Sequence, residues 1–446
     1  MSPPRRFRRF PTFVILMAFL LLPAACGGDS DEEALPTASP RGDAEAPIVV
    51  PPGAPLVVGI SAALTGPEEA GGREDLHAAL TGIERWKAAN GDEIAGHEIA
   101  VQAEDDACTD QEAAVEAAHR LLSVVGLVGV IGPDCSAGAE AAIPVYVDAG
   151  VVAVSGTSTQ TNLTTMGGSP TYFFRTAYRN DLQGTLIGHF TAIMLQAKNV
   201  FLIDDGESYG KDLASAAREL MEESDINVVY HSAKPGAEDF SVEAQEASDL
   251  NPDVVIFVGF NPQAALFYRQ LRDAGYSGLF GASDAAATAS FLDPVGAQAE
   301  DVLFSGCAVQ LPEDVLADFQ EIHGGAPNSS AFTAQMVDAA TILLDAVAKT
   351  AEEQPDGSLV IDPEALRDAV AGTDLTAGAS GNLAFNENGD RVPHAGDDLE
   401  ALVRETEILE QLETYVDLGL IPCQVQDGQL VNLLGPDAGI VRGLPD

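Results

Sequence analysis

From residue 56 onward, apolar runs of strand length alternate with stretches of helical period, and this alternation admits few folds. Residues 56–60 read as a strand, then a helix follows around 75–89. A strand at 99–101 precedes a helix at 110–123, which Thr109 and Glu112 would open as a capping box. Next come a strand at 127–131, a helix after Ser136 and a strand at 151–154. The rhythm restarts with strands at 199–203, 226–230 and 253–258, with a helix at 211–221 after the first and another at 262–272 after the last. Helical stretches also cover 330–350 and 400–413. Strands that alternate with helices build parallel sheets wrapped on both faces, and two successive runs predict two α/β domains.

In such sheets ligands sit beyond the carboxyl ends of the strands, near helix N-termini. That rule selects the turns at 132–136, 155–159, 204–210 and 281–284. Their small hydroxyls and backbone N–H groups suit a carboxylate better than a metal. Ser136 opens a helix, where a serine serves as a cap or an anion ligand. Asp284 ends a strand, where an acid caps a helix or meets an ammonium group.

The 446-residue chain is 46% hydrophobic and 20% charged, enough to bury proper cores. Its net charge of -47 makes nucleic acid a poor partner, since phosphate binding needs basic side chains. Strong acidity with few lysines also suits a saline habitat, where salt screens self-repulsion. The N-terminus carries Arg5, Arg6, Arg8 and Arg9, then an apolar run, then Ala24, Ala25 and Cys26. This is the layout of a secretory signal, and its apolar run is about half the ~20 residues of a membrane span. Leu22-Pro23-Ala24-Ala25-Cys26 resembles the lipobox of bacterial lipoproteins, with Pro23 as a departure, so Cys26 is expected to carry lipid. Residues 27–54 are rich in Pro, Ala, Gly, Asp and Glu and read as a flexible tether.

Four cysteines remain: Cys108, Cys135, Cys307 and Cys423. An even number in an exported protein favours disulfides, and spacing leaves all three pairings open. No cysteine and histidine share zinc-ligand spacing, so no metal is expected, and no cofactor. Gly206-Glu207-Ser208-Tyr209-Gly210 matches the G-x-S-x-G of hydrolases, with His231, His323 or His394 as the base. The simpler reading is a strand-to-helix turn relieved by glycines. Asn388-Gly389 reads as a hairpin turn rather than a calcium loop.

Several of these segments together resemble the leucine/isoleucine/valine-binding proteins of ABC importers. They are Val58-Gly59-Ile60-Ser61 with Leu64-Thr65-Gly66-Pro67, Asp105-Asp106-Ala107-Cys108, and Ile131-Gly132-Pro133-Asp134-Cys135-Ser136. Phe174-Arg175-Thr176, Ser208-Tyr209-Gly210, and Asn382-Leu383-Ala384-Phe385 with Asn388-Gly389-Asp390 complete the set. The resemblance implies the α/β type I periplasmic-binding-protein fold, two Rossmann-like lobes joined by a three-strand hinge. Together with the N-terminal reading, a signal peptide over 1–25 and an acylated Cys26 with its tether over 26–54 would precede it. Lobe I would comprise 55–178 and 309–418, lobe II 179–308 and 419–436, with a tail at 437–446. A segment at about 394–412 looks inserted. Cys108 would pair with Cys135, and by remainder Cys307 with Cys423.

The resemblance further implies a monomeric binding protein, lipid-anchored outside the cytoplasm, that is not an enzyme. It would hand a branched-chain or related amino acid, or a small amide, to ABC permease subunits. Ser136 and Thr159 would hold the carboxylate. The backbone at Thr157 and the Asp284 side chain would take the ammonium, while Tyr209 covers and Phe260 lines the pocket. Asp284 stands where glutamate is common, Phe260 where tyrosine is, and Gly71 near a position often aromatic. The rival readings are a receptor module that signals its ligand to a sensor, and a serine hydrolase using Ser208.

Overall fold

The computed structural model describes residues 16–17, 35, 41–328, 330–398, 415–418, 420–427 and 429–433. Two parallel sheets organise it. In the first, the strands run in the order His97–Asp105, Leu56–Ala62, Leu127–Ile131, Ala153–Ser155 and Phe173–Arg175. In the second the order is Asn227–Ser232, Asn199–Asp204, Val254–Val258, Leu279–Ala282 and Leu303–Phe304. Both sheets therefore place their second strand outside the first and their third on its other side. The order in which strands are added reverses at the first strand, between it and the third, which opens a crevice at that point. Cys423–Gln426 and Gln429–Asn432 extend the second sheet antiparallel.

The central strands are buried along their whole length, which explains their continuous apolar runs. One face of the first sheet packs on the helices Glu69–Asn90 and Thr333–Thr350, through Leu76, Leu80, Ile83, Val337 and Leu343. The other face packs on Gln111–Leu122 and Ser136–Asp148, through Leu121, Ile143 and Tyr146. The second sheet is likewise covered on both faces. The chain passes between the sheets after Arg175, after Phe304 and before Cys423. A separate core of Tyr178, Leu182, Phe332, Tyr415 and Leu420 sits at these crossings.

The structure departs from the sequence reading in several places. The first helix begins at Glu69 rather than 75. The helix at Gln111 is capped by Asp110, whose carboxylate accepts from the N–H groups of Glu112 and Ala113, rather than by Thr109. Within the expected tether, Ile48–Val50 forms a strand beside Leu359–Ile361, with Ile48 and Val50 buried. The folded body thus starts before residue 55. Leu16–Met17 pairs in parallel with Gln102–Ala103 at the outer edge of the first sheet. Cys26, the stretch 400–413, most of the inserted segment and the tail at 437–446 lie outside the described residues. Among the described residues, no helix is long and apolar enough to cross a membrane.

Candidate functional site

The loops that leave the first, third and fourth strands of each sheet face one another across a single pocket. Ser136, Thr157, Thr159, Tyr209, Phe260 and Asp284 all line it, so the structure brings together every ligand residue the sequence suggested. Glu68, Asp75, Asp134, Ser330 and Phe332 line it as well.

Two glycines let the first-lobe loops close in. Gly132 turns at φ +112°, and a Cβ there would lie 2.2 Å from the Ser61 carbonyl oxygen. Gly72 sits against the strand end, where a Cβ would lie 2.1 Å from the Ala63 carbonyl oxygen. This close approach aims the first turn of Glu69–Asn90 at the pocket.

Serine and threonine side chains sew the 132–136 and 155–160 turns together. Ser155 Oγ donates to the Pro133 carbonyl at 2.8 Å, Ser158 Oγ to the same oxygen at 3.0 Å, and Thr157 Oγ1 to the Asp134 carbonyl. Ser136 is the first residue of its helix and does not cap it. Its Oγ instead accepts from the N–H groups of Gln160 at 3.1 Å and Thr159 at 3.3 Å. A hydroxyl has two acceptor lone pairs and one donor. With both lone pairs engaged, the Ser136 proton is left to donate, which suits a carboxylate.

Asp284 follows the strand Leu279–Ala282 and is buried. Its Oδ1 accepts from Gln183 Nε2 at 2.6 Å and from Tyr209 Oη, and its Oδ2 from Tyr178 Oη at 3.0 Å. Burial, and then the Asp284 charge, push both phenols well above the usual tyrosine range, so they stay donors. A carboxylate offers roughly four acceptor positions. Three are taken, which leaves room for an ammonium. Tyr209 also packs on Phe260, with ring centroids 5.0 Å apart.

The remaining wall is acidic. Burial raises Asp75 well above the usual carboxylate range, and Asp134 adds to that shift. Burial raises Asp134 as well, and its neighbour Asp75 works against that shift. Burial, then Asp134 and Asp205, push Glu68 up to about 8. Behind this wall Asp106 and Asp205 are each pushed up to about 7, chiefly by burial. Among the described residues that line the pocket, none is basic.

The lobes touch beside the pocket. Ser208 Oγ donates to Glu140 Oε2 at 3.2 Å, and Asp212 accepts from the Thr161 N–H at 2.8 Å. Phe260 packs against Ala63, Cys108 and Cys135. Ser208 therefore serves a contact between lobes rather than a triad. His231 faces Glu246 at 3.3 Å, and His323 stacks on His77. The Asn388-Gly389 turn belongs to a hairpin between Gly381–Phe385 and Arg391–Val392. Asp390 from that hairpin pairs with Arg175, with Nη2 at 2.6 Å. Both implied disulfides form, Cys108 with Cys135 and Cys307 with Cys423. Among the described residues, no group of three or more His, Cys, Asp or Glu side chains is spaced to hold a metal ion.

Sequence reasoning missed Tyr178, Gln183, Glu68, Asp75 and Phe332. Glu68 alone had a local signal, an acid at a helix N-cap just after the Gly66-Pro67 turn.

The sequence pattern of the family described as periplasmic binding proteins matches residues 55–396. The "Amino acid binding protein" of Pseudomonas aeruginosa is 32% identical over 236 residues, 53% of this chain and 62% of that protein. A "Leucine-, isoleucine-, valine-, threonine-, and alanine-binding protein" of the same bacterium is 26% identical over 75% of this chain and 87% of its own length. The solved leucine-binding protein of Thermotoga maritima superposes with a TM-score of 0.69 at 23% identity, covering 86% of this chain and 99% of its own. That likeness shows the fold, with two lobes and a pocket between them, and the family match covers nearly all of both lobes. The chain thus belongs to the periplasmic binding proteins, a family that binds solutes outside the cytoplasm and catalyses nothing.

Proposed function

We propose that this protein captures a free amino acid for an ABC importer while tethered to the membrane by lipid on Cys26. The observation that carries the reading is the pairing of ends in one pocket. The Ser136 hydroxyl in lobe I is left to donate, and the Asp284 carboxylate in lobe II keeps one acceptor position open. Ser136 and Thr159 would take the α-carboxylate. Asp284 and the Thr157 carbonyl would take the α-ammonium. The names of the Pseudomonas aeruginosa relatives point to the same ligand class, branched-chain amino acids included. Opposite charges in a cleft that excludes water give oriented binding. Tyr209 and Phe260 would close over the ligand, and its contacts with both lobes would select the closed state that a permease reads.

Calorimetry with amino acids and their amides tests this. A free amino acid should bind, and its carboxamide should bind at least tenfold more weakly because the Ser136 hydroxyl loses its charged partner. Equal affinity for both would remove the carboxylate site. Metabolic labelling with palmitate should mark the wild type and not Cys26→Ser.

A further inference from the structure

We infer that the pocket takes an amino acid whose side chain carries a second positive charge, an ammonium or guanidinium received by Glu68 with the Asp75–Asp134 pair. This rests on the proposed zwitterion site and assigns the end of the pocket which that site leaves unused.

The first observation is Glu68. It is the N-cap residue of the 22-residue helix Glu69–Asn90, where a carboxylate is normally satisfied by its own helix. Glu68 makes no such bond. Its Oε1 is buried on the pocket wall and has no hydrogen-bond partner. An ionised carboxylate pays heavily for burial without a partner. The charges of Asp134 and Asp205 act on it in the same direction as burial and make its position worse.

The second observation is the balance of charge. Glu68, Asp75, Asp134 and Asp284 line the pocket, with no base among the described residues that line it. A neutral amino acid brings one positive and one negative charge, so it leaves the surplus untouched. A second cationic group offsets it. The acids are not grouped as metal ligands are, so they suit an organic cation that spans several of them. Phe332, Phe260 and Tyr209 supply aromatic faces in the same pocket, on which a guanidinium can stack.

The third observation is how these acids stand towards one another. Asp75 accepts from Ser330 Oγ at 2.6 Å, and burial with the neighbouring charges of Asp134 and Glu74 raises it. A cation that enters favours the ionised form of these acids, Glu68 above all. Its affinity therefore rises with pH through the range near 8 where Glu68 titrates. A neutral amino acid has no such dependence on these groups.

The test is calorimetry of the full-length protein with arginine, ornithine, citrulline and leucine at pH 6 and pH 8.5. Citrulline has nearly the shape of arginine without its charge. The inference expects arginine or ornithine to bind at least tenfold tighter than both citrulline and leucine, with the preference growing at the higher pH. Glu68→Gln should shrink the preference for arginine over citrulline at least tenfold. Leucine or citrulline binding as tightly as both basic amino acids would overturn the inference and leave the zwitterion site standing. Binding of none of the four would overturn both.

Discussion

Gln183 Nε2 lies 2.6 Å from Asp284 Oδ1, joining the helix that follows the first crossing to the acid that ends a second-lobe strand. The same amide donates to Ser305 Oγ at 2.7 Å, just before the chain crosses back. Asp284 is thus held by the crossing region as well as by Tyr209. Asp284→Ala should weaken amino-acid binding by about 1–3 kcal/mol, because it removes the proposed partner of the ammonium and strands buried donors. Gln183→Ala should cost less, since Tyr178 and Tyr209 still hold the carboxylate. Titration calorimetry on both variants would show the order, and unchanged affinity in Asp284→Ala would take that residue out of the site.

Ser136→Ala removes the hydroxyl that accepts from the Thr159 and Gln160 N–H groups and leaves both donors without it. A hydrogen bond to a charged group contributes about 1.5–3 kcal/mol. The variant should bind a free amino acid about ten- to a hundredfold more weakly. Its affinity for the corresponding carboxamide should fall by less, because that ligand lacks the charge that Ser136 serves.

The buried acids should make the ligand-free protein less stable as pH rises. Glu68 is raised to about 8, and Asp106 and Asp205 to about 7, whereas unfolded carboxyls titrate near about 4. Between these values the native state holds more protons than the unfolded chain, so stability falls as pH rises. The melting temperature should be higher at pH 5 than at pH 8. Glu68→Gln should flatten the slope, and a melting temperature that climbs over this range would contradict the assignment of these groups.

Much of this architecture is readable from residue order alone. Strands such as Leu127–Ile131 are buried on both sheet faces, so they stand out as unbroken apolar runs. The turns that line the pocket follow strand ends, so Ser136, Thr159 and Asp284 stand out from the order of elements. Other parts are invisible locally. Gly72 fixes the start of its helix by backbone contact with Ala63, and no apolar period marks that turn. Glu68 and Asp75 look like the polar side of a solvated helix until the pocket forms around them. Tyr178 and Gln183 lie roughly a hundred residues from the acid they serve, and only the crossing brings them to it.

Arg175 and Asp390 form an ion pair with almost no exposure, 0% and 2% for their side chains. Arg175 Nη1 also donates to the Gln160 carbonyl at 2.7 Å and Nη2 to Thr161 at 3.0 Å, so the pair braces the turn that carries Thr159. Burial alone would raise Asp390, yet Arg175 and Arg179 hold it below the usual carboxylate range. A depressed acid contributes stability above its unfolded value, near about 3.9, and loses that contribution as pH falls through its folded value. Asp390→Ala leaves a guanidinium buried without its counter-charge and should cost about 3–5 kcal/mol in urea unfolding at neutral pH. Asp390→Asn can still accept one bond from Arg175 and should cost less. The gap in stability between wild type and Asp390→Asn should close below pH 4, where the wild-type carboxyl gains its proton. A gap that stays constant from pH 7 to pH 3 would mean that packing, rather than charge, holds this hairpin on the crossing strand.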